Sequence, residues 1–114
     1  MKVIYIAGPY RANNSWDVER NIRVAEDLAY RAAELGAVPL CPHSMFRFFD
    51  RTQTDLFWLE GTAELLRRCD AILMGPWWSA SVGSCKEKEI AEQMGIPVFF
   101  ASGGLHDVEQ WIKK

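Results

Sequence analysis

Four short apolar runs, each followed by a stretch long enough for a helix, constrain this chain more than any other feature. Residues 3–7 (VIYIA) are rich in β-branched and aromatic side chains and end at Gly8-Pro9, which predicts a central strand opening into a loop over 8–14. Beyond that loop Val18, Ile22, Ala25, Ala29, Ala32 and Leu35 recur at steps of three and four, the period of an amphipathic helix. Asn14 or Ser15 caps it and Gly36 stops it. Residues 37–40 form a second strand, and Pro39 suits an edge because it donates no ladder hydrogen bond.

The connection over 41–54 carries Pro42-His43 and three phenylalanines and is longer than a turn requires, a length often kept for function. Leu56, Leu59, Ala63 and Leu66 mark another helix, and residues 71–74 a third strand stopped by Gly75-Pro76. The stretch WWSASVGSCKE over 77–87 leads into a helix expected from Lys86 to Met94, stopped by Gly95 and carrying Glu87 in its first turn. Residues 98–100 make a fourth strand and 107–113 a closing helix with Val108, Trp111 and Ile112 inward. Strict alternation of this kind predicts an α/β flavodoxin-like or Rossmann-like three-layer sandwich, with four to five parallel strands and helices on both faces. Ligands in such sheets bind outside the carboxyl ends of the strands, so the loops over 8–14, 41–54 and 75–84 form the expected site.

At 114 residues the chain fits one domain, 1–114. A net charge of −2 offers no basic balance to draw in a polynucleotide, and no apolar run nears the roughly 20 residues of a membrane span. The first residues lack a secretory cleavage pattern, so a cytoplasmic protein is expected. Cys41, Cys69 and Cys85 are odd in number and scattered, the pattern of reduced, mostly buried thiols.

Three motifs carry a resemblance. The segment Tyr5-Ile6-Ala7-Gly8-Pro9-Tyr10, the segment Cys69-Asp70-Ala71 and the spacing Ser81-x-Gly83-x-x-x-Glu87 resemble the nucleoside 2-deoxyribosyltransferase-like superfamily, which includes 2'-deoxynucleoside 5'-phosphate N-hydrolases. The resemblance implies cleavage of the bond between a base and C1' of a (deoxy)ribose, with Glu87 as nucleophile. A carboxylate beneath C1' stabilises its oxocarbenium character or bonds to it, as in retaining glycosidases. A helix start would keep that carboxylate ionised. The competing reading of Glu87 is a solvated charge in a KEKE run.

Ser81, Gly83 and Ser84 match the superfamily's small-residue turn, which binds a 5'-phosphate or 5'-hydroxyl, although a purely structural turn reads the same; Arg11 stands where phosphate-specific relatives carry an arginine, or is an exposed arginine in a polar loop. Gly8 belongs to the expected sugar pocket, and Tyr10 either lines it or packs over the first strand. His43 falls on the same side, where it contacts a base or simply holds the structure through hydrogen bonds. Relatives place an aspartate about two helical turns before Asp70; here that position is Thr62. Asp55, Glu60 and Glu64 lie nearby, and Asp55 is taken as the assisting acid because it opens the D-L-x-W-L string. Trp77 and Trp78 suit either stacking on a base or a subunit contact, the latter favoured for at least one of them.

The reading is an N-glycosidase or (deoxy)ribosyltransferase acting on a nucleoside or nucleoside 5'-monophosphate, without cofactor or metal, and as a homodimer or higher homo-oligomer. Two alternatives stay open. One is a nucleotide-binding module on the same fold without turnover. The other is a phosphoribohydrolase of the Rossmann-like lysine-decarboxylase-named family, whose extended G-G-G-x-G-T pattern is missing. A redox flavodoxin is weaker still, since the first loop lacks the hydroxyl run of an FMN phosphate site.

Overall fold

A computed structural model describes residues 1–49 and 51–114. Its strands are β1 (Val3–Ala7), β2 (Val38–Leu40), β3 (Ala71–Met74) and β4 (Val98–Phe100), and its helices α1 (Ser15–Glu34), α2 (Pro42–Met45), α3 (Asp55–Arg67), α4 (Val82–Met94) and α5 (His106–Lys113). The four strands form one all-parallel sheet in the order β2-β1-β3-β4. This is a Rossmann- or flavodoxin-like α/β sandwich. The chain moves outward in one direction from β1 and in the other from β3, so the strand order reverses between those two.

Alternation along β1 assigns its side chains to two cores. Ile4 and Ile6 face α1 and α5, where Ala25, Leu28, Ala32 and Val108 cover them. Tyr5 and Ala7 face α3 and α4, with Ile72, Met74, Leu66 and Ala91 around them. Buried on both faces, the two central strands read as unbroken apolar runs in the sequence. Pro39 sits on the edge strand β2, in register with Ile4. At the reversal point the Gly75 amide donates to the Ala7 carbonyl at 2.8 Å. A Cβ on Gly75 would stand 3.1 Å from that same oxygen, which is why a glycine follows the strand.

Helix ends follow the expected chemistry. Asn14 caps α1 by accepting from the Asp17 amide at 2.8 Å, and Thr54 caps α3 by accepting from the Phe57 amide. Gly95 ends α4 in the left-handed region at φ 71°. The segment between β2 and α3, expected as one long loop, folds into α2 and a short 3-10 turn, Arg47–Phe49. Asp50, within that segment, lies outside the described residues. Of the four residues that marked α3, Ala63 and Leu66 are buried but Leu56 and Leu59 are exposed, because Trp58 and Leu65 take the inward side. No helix among the described residues is long and apolar enough to cross a membrane. The three cysteines are free thiols, with Cys41 and Cys69 buried.

Candidate functional site

The structure corrects where α4 begins. The Val82-Gly83-Ser84 triplet has weak helix propensity, so the sequence suggests a start at Lys86. In the structure Ser81 is the N-cap, its hydroxyl accepting from the Ser84 amide at 3.2 Å, and the helix runs from Val82. Glu87 therefore lies in the second turn, not the first. The pull of a helix terminus fades within one turn, so it no longer decides the charge of Glu87.

Burial decides it instead. Ser84, Glu87 and Ala91 recur at i, i+3 and i+7 and form the stripe of α4 turned toward the sheet, with Ser84 1% exposed and Ala91 fully buried. A glutamate in that stripe loses water, and its carboxyl is pushed up to about 7, partly countered by a hydrogen bond from Tyr5. The Tyr5 phenol, 1% exposed, donates to Glu87 Oε2. Its own pKa is raised, first by burial and then by the Glu87 charge, while a neighbouring Thr62 hydroxyl acts the other way. β1, α3 and α4 thus deliver Tyr5, Thr62 and Glu87 to one place. The expectation that Glu87 is held ionised by the helix start does not stand, and neither does the picture of a solvated surface charge.

Sequence spacing alone does not mark Tyr5. One signal was available: a phenol in an otherwise aliphatic central strand needs a partner for its hydroxyl.

The other sequence-derived residues fall into two groups. Ser81 spends its hydroxyl on the cap, while the Ser84 Oγ is buried with no partner among the described residues. Gly83 has no neighbour within 4 Å of an added Cβ, so the first turn of α4 is open at that point. On the opposite side His43 is 7% exposed and its Nε2 lies 3.0 Å from both the Gly8 and the Pro9 carbonyl oxygens. An Nε2–H donating to both clamps the loop after β1, and burial lowers the imidazole pKa, which keeps the ring neutral. His43 holds that loop's backbone, with Tyr10 packed against its ring at 5.9 Å.

Asp55 is exposed and pairs with Arg11 at 2.6 Å. It stands seven residues before Thr62, about 10 Å up the helix, so the structure does not bring it to Glu87. Thr62 donates to the Trp58 carbonyl one turn back, at 2.9 Å. Trp58 carries a buried indole N–H without a partner among the described residues and packs on Phe46 at 5.2 Å.

Trp77 is 69% exposed with a left-handed φ of 61°, whereas Trp78 packs on Phe100 at 5.5 Å. A cavity of about 10 Å³, enough for one water, lies at the strand-order reversal between Gly8, Asn21, Gly75 and Trp77. A larger open one of about 410 Å³ lies beyond β4, between Phe99, Gly103 and His106. Neither is lined by Tyr5 or Glu87. No group of three or more His, Cys, Asp or Glu side chains placed to hold a metal occurs among the described residues.

A family model described as a domain of unknown function (DUF7768) matches residues 2–101. No curated protein matches the chain.

Proposed function

The chain belongs to the DUF7768 family, a domain of unknown function, and from the chemistry of its own site we propose that it cleaves the N-glycosidic bond of a nucleoside or nucleoside 5'-monophosphate through Glu87. The observation that carries this reading is a carboxyl on the inward stripe of α4, raised to about 7 and gripped at one oxygen by a buried phenol. An inward glutamate contributes less to packing than an apolar residue would, and a carboxyl poised near neutrality marks a candidate for reaction.

With Oε2 held by Tyr5, the other oxygen is the one to meet C1'. The bond from C1' to the base breaks with its electron pair leaving on the base, which takes a proton from water. The free carboxylate oxygen bonds to C1' in its place. Water then attacks C1', the ester bond breaks, and Glu87 returns as a carboxylate while the proton goes to solvent; a second base in place of water gives transfer. The open first turn of α4 at Gly83 holds the 5' end, with Arg11 supplying the charge for a phosphate; Ser84 Oγ is buried and does not reach it.

The test is a panel of nucleosides and their 5'-monophosphates, with free base followed by chromatography. Release from at least one substrate, abolished by Glu87→Ala, is expected. Release from none, or undiminished release by Glu87→Ala, overturns the reading.

One observation favours a second reading, a nucleotide-binding module without turnover. Thr62 stands where an acid would assist the base, and Asp55 is engaged on the surface with Arg11. Nucleotides that raise the melting temperature without yielding base would select it.

A further inference from the structure

The turn that follows β3 carries a tryptophan where its geometry calls for glycine. Gly75, Pro76, Trp77 and Trp78 close a tight turn, with the Trp78 amide donating to the Gly75 carbonyl at 3.3 Å. Proline in the second place and a left-handed residue in the third, Trp77 at φ 61° and ψ 19°, are the pattern of a type II turn. That third place ordinarily belongs to glycine, because a side chain there is strained and a bulky one most of all. Packing does not offset the strain. Trp77 is 69% exposed, and its ring stacks on no other ring among the described residues. Its neighbour Trp78 packs on Phe100 within the chain. A strained residue kept without a packing gain is characteristic of a ligand clamp.

We infer that Trp77 is the stacking face of a binding site for a planar heteroaromatic ring with a donating edge, of the kind adenine presents, in the crevice at the strand-order reversal. The place fits, since ligands of parallel sheets bind outside the carboxyl ends of the strands where their order reverses. Trp77 lines that crevice together with Gly8, Asn21 and Val24. An added Cβ on Gly8 would meet nothing within 4 Å, so there is room at the end of β1. The enclosed part holds one water, and the ring therefore lies across its mouth.

Asn21 supplies the selecting group. Its amide nitrogen donates to the Tyr10 carbonyl at 3.0 Å, which fixes the side chain's orientation. Its carbonyl oxygen has no partner among the described residues. An acceptor of this kind pairs with a ring N–H or an amino group. One indole face and one acceptor match one small ring, whereas a second protein needs a face of roughly 800 Å². Glu87 does not line the crevice, so the inference is independent of the role given to it.

Binding of adenine to the whole protein tests it, by calorimetry and by quenching of indole fluorescence. Adenine has no glycosidic bond, so the result is separate from any base release. Saturable quenching is expected, and Trp77→Gly is expected to lower the affinity about five- to hundredfold. Because glycine suits the third place of the turn, that variant is also expected to melt no lower than wild type. Unsubstituted purine, which lacks the amino group, is expected to bind more weakly than adenine, and ribose 5-phosphate to leave the fluorescence unchanged. No adenine binding overturns the inference, as does equal affinity in wild type and Trp77→Gly. A lower melting temperature in Trp77→Gly overturns it too, by making the ring a packing residue. Equal binding of purine and adenine, or equal quenching by ribose 5-phosphate, overturns the ring selection. A wild-type oligomer that dissociates in Trp77→Gly makes the ring a subunit contact and overturns the inference as well.

Discussion

Tyr5 and Glu87 are 82 residues apart in the chain and joined by one hydrogen bond, the phenol of the central strand donating to the carboxyl of α4. The contact favours the pair Tyr5–OH and Glu87 carboxylate. Burial works against it by raising the carboxyl to about 7. Glu87 is therefore divided between its two charge states near neutral pH.

Removing the donor tips that division. Tyr5→Phe keeps the ring and deletes the hydroxyl, so the Glu87 pKa is expected to rise further. If the carboxylate is the nucleophile, base release climbs with pH through about 7 in the wild type. In Tyr5→Phe the climb moves to higher pH. A pH–rate profile reads both. A rate that falls through that range instead would make Glu87 an acid, not a nucleophile.

Stability responds to the same group. An unfolded glutamate titrates near 4.5, and the folded one near 7, so the native state holds its proton more tightly. The stabilisation is fully present below about 4.5 and is lost as pH rises through about 7. Glu87→Gln carries no charge to desolvate and is expected to be more stable than wild type at pH above 8, by about 1–3 kcal/mol. Denaturant unfolding at pH 4 and pH 8.5 measures the difference, which should close at the acid end.

His43 acts in the opposite sense. Burial depresses its folded pKa below the ordinary 6.5, so the stability it contributes is present above 6.5 and lost as pH falls through the folded value. His43→Ala also forfeits the clamp on the Gly8 and Pro9 carbonyls, at a cost of about 1–3 kcal/mol. Faster amide exchange at Tyr10 and Arg11 is expected alongside the lower melting temperature.

Two backbone positions shape the loops around the site. Ser81→Ala removes the cap of α4 and is expected to cost about 1 kcal/mol. Gly75→Ala forces a Cβ to 3.1 Å from the Ala7 carbonyl and 3.4 Å from Leu28, so β1 and β3 must part at their carboxyl ends, at about 1–3 kcal/mol. Melting curves of the two variants, compared with wild type, test both values.

Much of the architecture was legible because it depends on local period. β1 and β3 fell where apolar runs ended at Gly-Pro pairs, and α1 where residues recurred at three and four. Pro39 marked an edge, as it proved to be. Less legible was anything set by a neighbour distant in sequence. The outward turn of Leu56 and Leu59 followed from Trp58 winning the inward side, and spacing alone does not rank two apolar stripes on one helix. The early start of α4 followed from a serine cap that outweighs the weak propensity of Val82 and Gly83.

The candidate site divides along the same line. Ser81, Gly83 and Glu87 were picked out by their match to a family motif, and in the parallel sheet they lie on the cap and first two turns of the helix that follows β3. The amino-acid sequence by itself determined the α/β order and the presence of a carboxylate on the helix after β3. Only the tertiary structure decided that this carboxylate turns inward, meets a phenol and loses part of its water. Charge state depends on the solvent a group retains, and the surrounding water is displaced by side chains from β1 and α3, which no local pattern around residue 87 encodes.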